Sequence, residues 1–183
     1  MSDLGYKASR PSTGDTSMTT AREQGVGQFE EYEFISPSDK PALLALSSLE
    51  TMANVQTICL ELGYKVHVAS NHEDFSKRFL AMNYQLVIVE ELFAAEKVED
   101  NIILARLQNM PMSQRRHATL ILIGEHVHSM NAMEAFQQSV HAVVNKSDIS
   151  SLGQIISKTT TDNDVFLHTY REVHEAGSRG ELR

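Results

Sequence analysis

Three observations predict an α/β fold built on a doubly wound, five-stranded parallel sheet with helices on both faces. Short, continuous apolar runs recur at Ala42–Leu46, Leu86–Val89, Leu120–Ile123 and Ala142–Val144. Strands covered on both sides read this way, because neither face is left to water. Between the runs lie stretches whose apolar residues fall at helical spacing, and strict strand–helix alternation implies right-handed crossovers in a parallel sheet. One further run, Lys65-Val66-His67-Val68, alternates polar and apolar residues. That pattern suits an edge strand, and the order 2-1-3-4-5 places the second strand at an edge.

Taken in order, the first strand covers Ala42–Leu46. Ser47 and Glu50 then read as a capping box, in which each side chain satisfies an amide of the first helical turn. Met52, Val55, Cys59 and Leu62 follow at helical spacing, with Gly63 as a left-handed stop. After the second strand, Ser70 and Glu73 read as another capping box, before a helix carrying Phe75, Phe79 and Met82. The third strand ends at Glu90 and leads to a helix through Val98, Ile102, Ile103 and Leu107. The fourth strand leads to a helix with Met130, Met133, Phe136 and Val140. Asp148 or Ser150 caps the helix after the fifth strand, which uses Leu152, Ile155 and Ile156.

These elements occupy residues 39–160. Residues 1–38 read as a flexible tail rich in Ser, Thr and Gly, closed by the acidic-aromatic segment Phe29–Ile35. That composition buries too little apolar surface to fold alone. Residues 161–183 read as a helical extension, capped by Asp162 or Asp164, carrying Val165, Phe166, Tyr170 and Val173 and ending at Gly177.

Composition removes several classes of function. A net charge of −8 in 183 residues, with no basic cluster beyond Arg115-Arg116, argues against binding nucleic-acid phosphates. No stretch approaches the roughly 18–20 apolar residues of a membrane span, and no secretory signal is apparent, so a cytoplasmic location is expected. The single cysteine, Cys59, excludes an intramolecular disulfide and reads as a buried thiol. His126 and His128 form an H-x-H without a third ligand nearby, which reads as a solvated loop rather than a metal site. No Walker-type phosphate loop, nucleophile elbow or zincin motif occurs. No metal or cofactor is expected.

Over residues 39–160 the chain resembles the receiver domain of two-component response regulators, of the single-domain chemotaxis type, with its flavodoxin-like fold. The resemblance rests on Ala42 through Tyr64, including Glu61-Leu62-Gly63-Tyr64, on Tyr84 through Glu90, and on the distance from Gly124 to Lys146. It implies a phosphoacceptor aspartate at the end of the third strand and two metal-holding acids at the end of the first. It also implies a switch hydroxyl, a switch aromatic and a lysine. Here those positions hold Glu90, Leu46 with Ser47, Gly124, Val143 and Lys146. Only the lysine stands as the resemblance implies, and Ser147 replaces the proline that usually follows it.

The departures have physical consequences. Magnesium favours octahedral oxygen ligands that include a carboxylate or two, and Leu46 and Ser47 supply none. Gly124 has no hydroxyl to follow a phosphate oxygen. Glu90 is a methylene longer than Asp, in chemistry built to ~0.5 Å tolerance. Glu50 is better used in its cap, and Glu91 is expected to point away. Glu90 is instead expected to pair with Lys146; at about 4 Å and an effective dielectric near 20 the attraction is roughly 4 kcal/mol gross. Desolvation reduces this to about 1–2 kcal/mol.

The expected function is a pseudo-receiver in bacterial signal transduction that docks proteins without taking phosphate, and not an enzyme. Candidate interaction residues are Met130, Met133, Phe136, Val143, Ile155, Phe166 and Tyr170. The partner expected is a signalling kinase or regulator, or a second copy of the chain. Two alternatives stand beside this reading: a phosphorelay receiver with an unorthodox acceptor, and a small-ligand or anion sensor using the vacated pocket between Leu46, Gly124 and Lys146.

Overall fold

The computed structural model describes residues 36, 38–111, 115 and 117–179. The Phe29–Ile35 segment and nearly all of the expected tail lie outside them. The elements are β1 (Lys40–Ala45), α1 (Leu49–Glu61), β2 (Tyr64–Val68), α2 (His72–Ala81) and β3 (Leu86–Glu90). They continue with α3 (Ile102–Asn109), β4 (Thr119–Gly124), α4 (Ala132–Gln137), β5 (Ala142–Asn145) and α5 (Leu152–Ser178). Short 3-10 turns at Val98–Asp100 and Lys146–Ser151 precede α3 and α5.

The sheet is parallel throughout, in the order β2-β1-β3-β4-β5. Side chains of a strand alternate between faces, so each continuous apolar run feeds two cores. Leu43, Ala45, Val87, Val89, Leu120, Leu122 and Val143 pack with Phe75 of α2 and with Ile103, Leu104 and Leu107 of α3. Ala42, Leu44, Leu86, Ile88, Ile121, Ile123 and Val144 pack with Val55 and Cys59 of α1 and with Leu152, Ile155 and Ile156 of α5. β2 is the half-covered edge strand its alternation predicts.

Both helix caps lie one residue beyond the expected ones. Ser48, not Ser47, caps α1, its hydroxyl accepting the Thr51 N–H at 3.3 Å, because Ser47 is drawn into another loop. Asn71 caps α2 by accepting the Asp74 N–H at 2.9 Å, and Asp74 reaches back to the N–H and hydroxyl of Ser70. Asn71 thus makes the cap, while the return bond from Asp74 falls on Ser70, one residue before the cap, rather than on the N-cap amide as in a capping box. Gly63 is left-handed, at φ +79°, a conformation costly for any residue with a Cβ.

The C-terminal half departs further. The expected helix from Val98 to Leu107 breaks at Asn101, which caps α3 alone. The helix expected from Met130 to Val140 contracts to the short α4, with Ala135 its buried residue and Met133 and Phe136 facing water. Asn145 caps the turn that leads to α5, replacing Asp148 or Ser150 as the starting signal. No new helix starts at Asp162 or Asp164, since α5 runs unbroken for 27 residues from Leu152 to Ser178, through Gly177. The Lys158–Asp164 stretch looks like a boundary in sequence. Yet Thr160 and Thr161 return their hydroxyls to the carbonyls of Ile156 and Ser157, at 2.8 Å each, so their polar groups are met inside the helix rather than at a new cap. Asp162 pairs with Lys158 one turn back instead of capping a new helix.

Candidate functional site: a closed ion pair at the carboxyl edge of the sheet

Register brings the sequence-derived site together. Ala45 lies beside Val89, Glu90 beside Ile123, and Gly124 beside Asn145. Leu46, Ser47, Glu90, Gly124 and Lys146 therefore meet at the carboxyl ends of β1, β3, β4 and β5, where open α/β sheets gather their ligands.

Glu90 is held on both carboxylate oxygens. Oε1 takes the Lys146 ammonium at 2.7 Å, and Oε2 accepts the Ser47 backbone N–H at 2.5 Å. The Glu90 side chain is 3% exposed and that of Lys146 is 25% exposed. Lys146 also donates to Glu125 Oε1 at 3.0 Å. Burial alone would lower the Lys146 pKa. Hydrogen bonds to Glu90 and then Glu125, reinforced by their charges, outweigh it and raise the pKa above the ordinary lysine value. The same hydrogen bond and charge hold the exposed Glu125 below the usual range.

The loop after β3 is fastened by protein groups. Ser47 Oγ accepts the Ala94 N–H at 3.1 Å and donates to the Leu92 carbonyl at 3.4 Å. Buried Asn101 donates its amide to the carbonyls of Glu90 and Glu91, at 3.0 and 3.1 Å, while its oxygen caps α3. His72 Nε2 meets the Phe93 carbonyl at 2.8 Å, tying α2 to the same loop. Ala94 adopts φ +50°, an uncommon conformation for a residue with a side chain. Its bond to Ser47 helps hold it there.

Glu91 corrects an expectation. Its carboxylate turns over Gly124, so that a Cβ added at Gly124 would lie 2.5 Å from Glu91 Oε2. Space left by the missing side chain at Gly124 is filled by an acid. The adjoining cavity, of about 210 Å³, is lined by Glu90, Glu91, Glu96, Glu125 and Lys146. With its ammonium already between two carboxylates, that cleft is a poor seat for an anion.

The residues present do not fit the magnesium that the fold suggests. Leu46 is buried and apolar, Ser47 is spent on the loop, and both Glu90 oxygens are engaged. Among the described residues, no three His, Cys, Asp or Glu side chains cluster as a metal site. His128 faces the Glu134 carboxylate, at 2.7 Å.

The expected interaction residues divide. Met130, Met133, Phe136, Phe166 and Tyr170 are exposed, with Phe136 at 80% and Phe166 at 73%. Val143 and Ile155 are buried in the two cores and offer nothing to a partner. At the switch-aromatic position, Val143 is a core residue with no ring to swing. Sequence reading missed the role of Asn101, although an Asn directly before Ile102-Ile103 is itself a helix-start signal. Arg115 is half-buried and donates to the Leu107 carbonyl at 3.5 Å. No helix among the described residues is long and apolar enough to cross a membrane.

The sequence matches no family model and no curated protein. Solved structures are similar in fold. The orphan response regulator HP1043 of H. pylori shares 17% identity at a TM-score of 0.51, covering 66% of this chain and 95% of that one. The CheY-like receiver domain protein of Methanospirillum hungatei shares 12% identity at a TM-score of 0.54, covering 69% and 98%. NtrX of Brucella abortus shares 14% at 0.58; the match covers 79% of this chain and 30% of that longer one. At these identities the likeness is one of architecture: this chain has the receiver fold of response regulators.

Proposed function

We propose that this protein is a signalling module that keeps the receiver scaffold, takes no phosphoryl group, and acts by docking another protein. One observation carries the reading. The carboxylate at the phosphoacceptor position is buried and saturated, with Lys146 on one oxygen and the Ser47 N–H on the other. Phosphoryl transfer depends on positioning and on charge neutralisation by metal. Both Glu90 oxygens are engaged, and Leu46 and Ser47 supply no acid that would help hold a metal beside it. The Glu90–Lys146 pair instead fixes one arrangement of the site, with the β3–α3 loop fastened behind it.

Docking falls to the exposed apolar side chains on α4 and α5, namely Met133, Phe136, Phe166 and Tyr170. The partner expected is a signalling kinase or regulator, or a second copy. Two measurements test this. Intact mass after incubation with acetyl phosphate and Mg²⁺ should be unchanged; a gain of one phosphoryl group on Glu90 overturns the first half. Capture of the native partner should be lost in the folded Met133→Glu/Phe136→Glu variant; undiminished capture overturns the surface.

A further inference from the structure

The two edges of the sheet are finished differently. At the β5 edge the chain meets its own backbone groups: the Val143 carbonyl accepts the Met130 N–H, and the Asn145 N–H donates to Ser129 Oγ, at 2.9 Å each. The β2 edge has no such cover. Ala69 donates its N–H to the Leu44 carbonyl at 2.8 Å, and with the parallel register of β1 and β2 this turns the backbone of Lys65 and His67 toward β1. The N–H and C=O groups of Tyr64, Val66 and Val68 therefore point away from the sheet, and no hydrogen bond among the described residues reaches them. Proteins commonly blunt such an edge with a proline, a bulge or a covering loop, because its open groups will pair with another strand. β2 has no proline or glycine, and its five residues pair with β1 without a bulge.

We propose that this edge is a self-association surface, where β2 pairs antiparallel with β2 of a second copy of the chain about a two-fold axis centred on Val66. Two five-stranded sheets then join into one. A two-fold contact needs a patch that complements itself, and β2 supplies one. In this register Val66 exchanges both backbone bonds with Val66 of the second copy, and Tyr64 does the same with Val68 of the second copy. Every outward N–H and C=O of the strand finds a partner. Side chains of alternate residues share a face, so Tyr64 also lies against Val68 of the second copy, an aromatic–β-branched pair of the kind that stabilises antiparallel strands. Val68, 37% exposed in the single chain, is covered by it. On the other face Lys65 stands opposite His67 of the second copy and not opposite another lysine. Lys65 and His67 have partners of their own, and the pairing asks nothing of their side chains.

The contact is small, five residues a side, so the dimer is weak, with an expected Kd of roughly 10–100 μM. It uses none of the docking residues on α4 and α5, and it stands or falls independently of them.

The test is sedimentation of the full chain across a range from about 1 μM to 1 mM, with residue-resolved amide exchange at both ends of that range. Expected are a monomer–dimer equilibrium and slowed exchange of the Val66 and Val68 amides at high concentration only, while the His67 amide, turned toward β1, is protected throughout. Val66→Pro removes an outward N–H and no bond to β1, so it should fold and weaken the dimer at least about tenfold. Val68→Pro, at the exposed end of the strand, serves where Val66→Pro does not fold. Met133→Glu/Phe136→Glu should leave the dimer unchanged. A monomer throughout the range, a dimer whose Val66 amide still exchanges freely, or protection of that amide in the monomer would each overturn the proposal. So would an undiminished dimer in a folded proline variant, or a dimer lost in Met133→Glu/Phe136→Glu.

Discussion

Replacing Lys146 with Met keeps the length of the side chain and removes the charge opposite Glu90. The ammonium lies 2.7 Å from Glu90 Oε1, and the carboxylate side chain is 3% exposed. With charge centres about 4 Å apart and an effective dielectric near 20, the attraction is roughly 4 kcal/mol before desolvation. Breaking a fully buried pair costs about 3–5 kcal/mol, because a charge is left without its partner. Lys146 is 25% exposed, so water entering the vacated space recovers part of that. The Ser47 N–H also remains in place. The expected loss is about 2–3 kcal/mol, or a fall in Tm of roughly 6 °C for a chain of this size. Urea denaturation of the wild type, Lys146→Met, Glu90→Gln and the double variant closes a cycle. The double variant should be more stable than Lys146→Met by at least about 1 kcal/mol, since no buried charge remains. A Lys146→Met cost below about 0.5 kcal/mol, as for a solvated surface pair, would refute the reasoning. The sign with pH is also fixed. A raised lysine pKa adds stability that is complete below the unfolded value, near 10.4, and fades as pH climbs through the folded one. Alkaline titration should show that loss in the wild type and not in Lys146→Met.

Other expectations concern the surrounding structure. Asn101→Ala removes the α3 cap and the amide donated to two carbonyls, and should cost about 2–3 kcal/mol by chemical denaturation; a loss under about 1 kcal/mol would mean that water replaces it. His141 has a lowered folded pKa, so the unfolded chain takes up its proton first and stability should decline as pH falls below about 6.5. Denaturation at stepped pH should show a shallower decline in His141→Asn than in the wild type; identical slopes would dismiss the buried ring as its source. Gly124→Ser forces its new Cβ against the Glu91 carboxylate. Because that carboxylate is the free end of a flexible chain, the cost should stay under about 1 kcal/mol and vanish in a Glu91→Ala background. A larger, unrelieved cost would place the obstruction in the backbone.

The sheet was readable because its signals are local and redundant. Ala42–Leu46, Leu86–Val89 and Leu120–Ile123 each need cover on both faces, and the Lys65–Val68 alternation selects the edge, so order follows from few constraints. The Glu90–Lys146 pair was equally legible, since Glu90 ends β3 and Lys146 follows β5 at the same end of the sheet, with only β4 between the two strands. Details decided by competition between side chains were not. Ser47 and Ser48 are equivalent as helix starters in sequence. Only the demand of the Leu92–Ala94 loop for a hydroxyl assigns Ser47 away from the cap. Glu91 was expected outside because strand alternation was extended one residue too far. It follows the last residue of β3, where the chain has already turned. Val143 and Ile155 were counted as surface from the element they occupy, although their spacing places them inward. The unbroken α5 was hidden by threonines, whose hydroxyls favour helix ends or helix interiors according to which carbonyl they find.

That helix has a mechanical consequence. At 1.5 Å per residue, its 27 residues span roughly 40 Å, about twice the length of a five- or six-residue strand. Leu152 through Leu167 rest on the sheet, and the described side chains after Leu167 face water. A rod clamped along its first half turns a small tilt at its base into a larger sweep of its far end, carrying Tyr170 and Val173 with it. Whatever grips that end feels the packing of β4 and β5 at a distance, with no loop between them to absorb the movement.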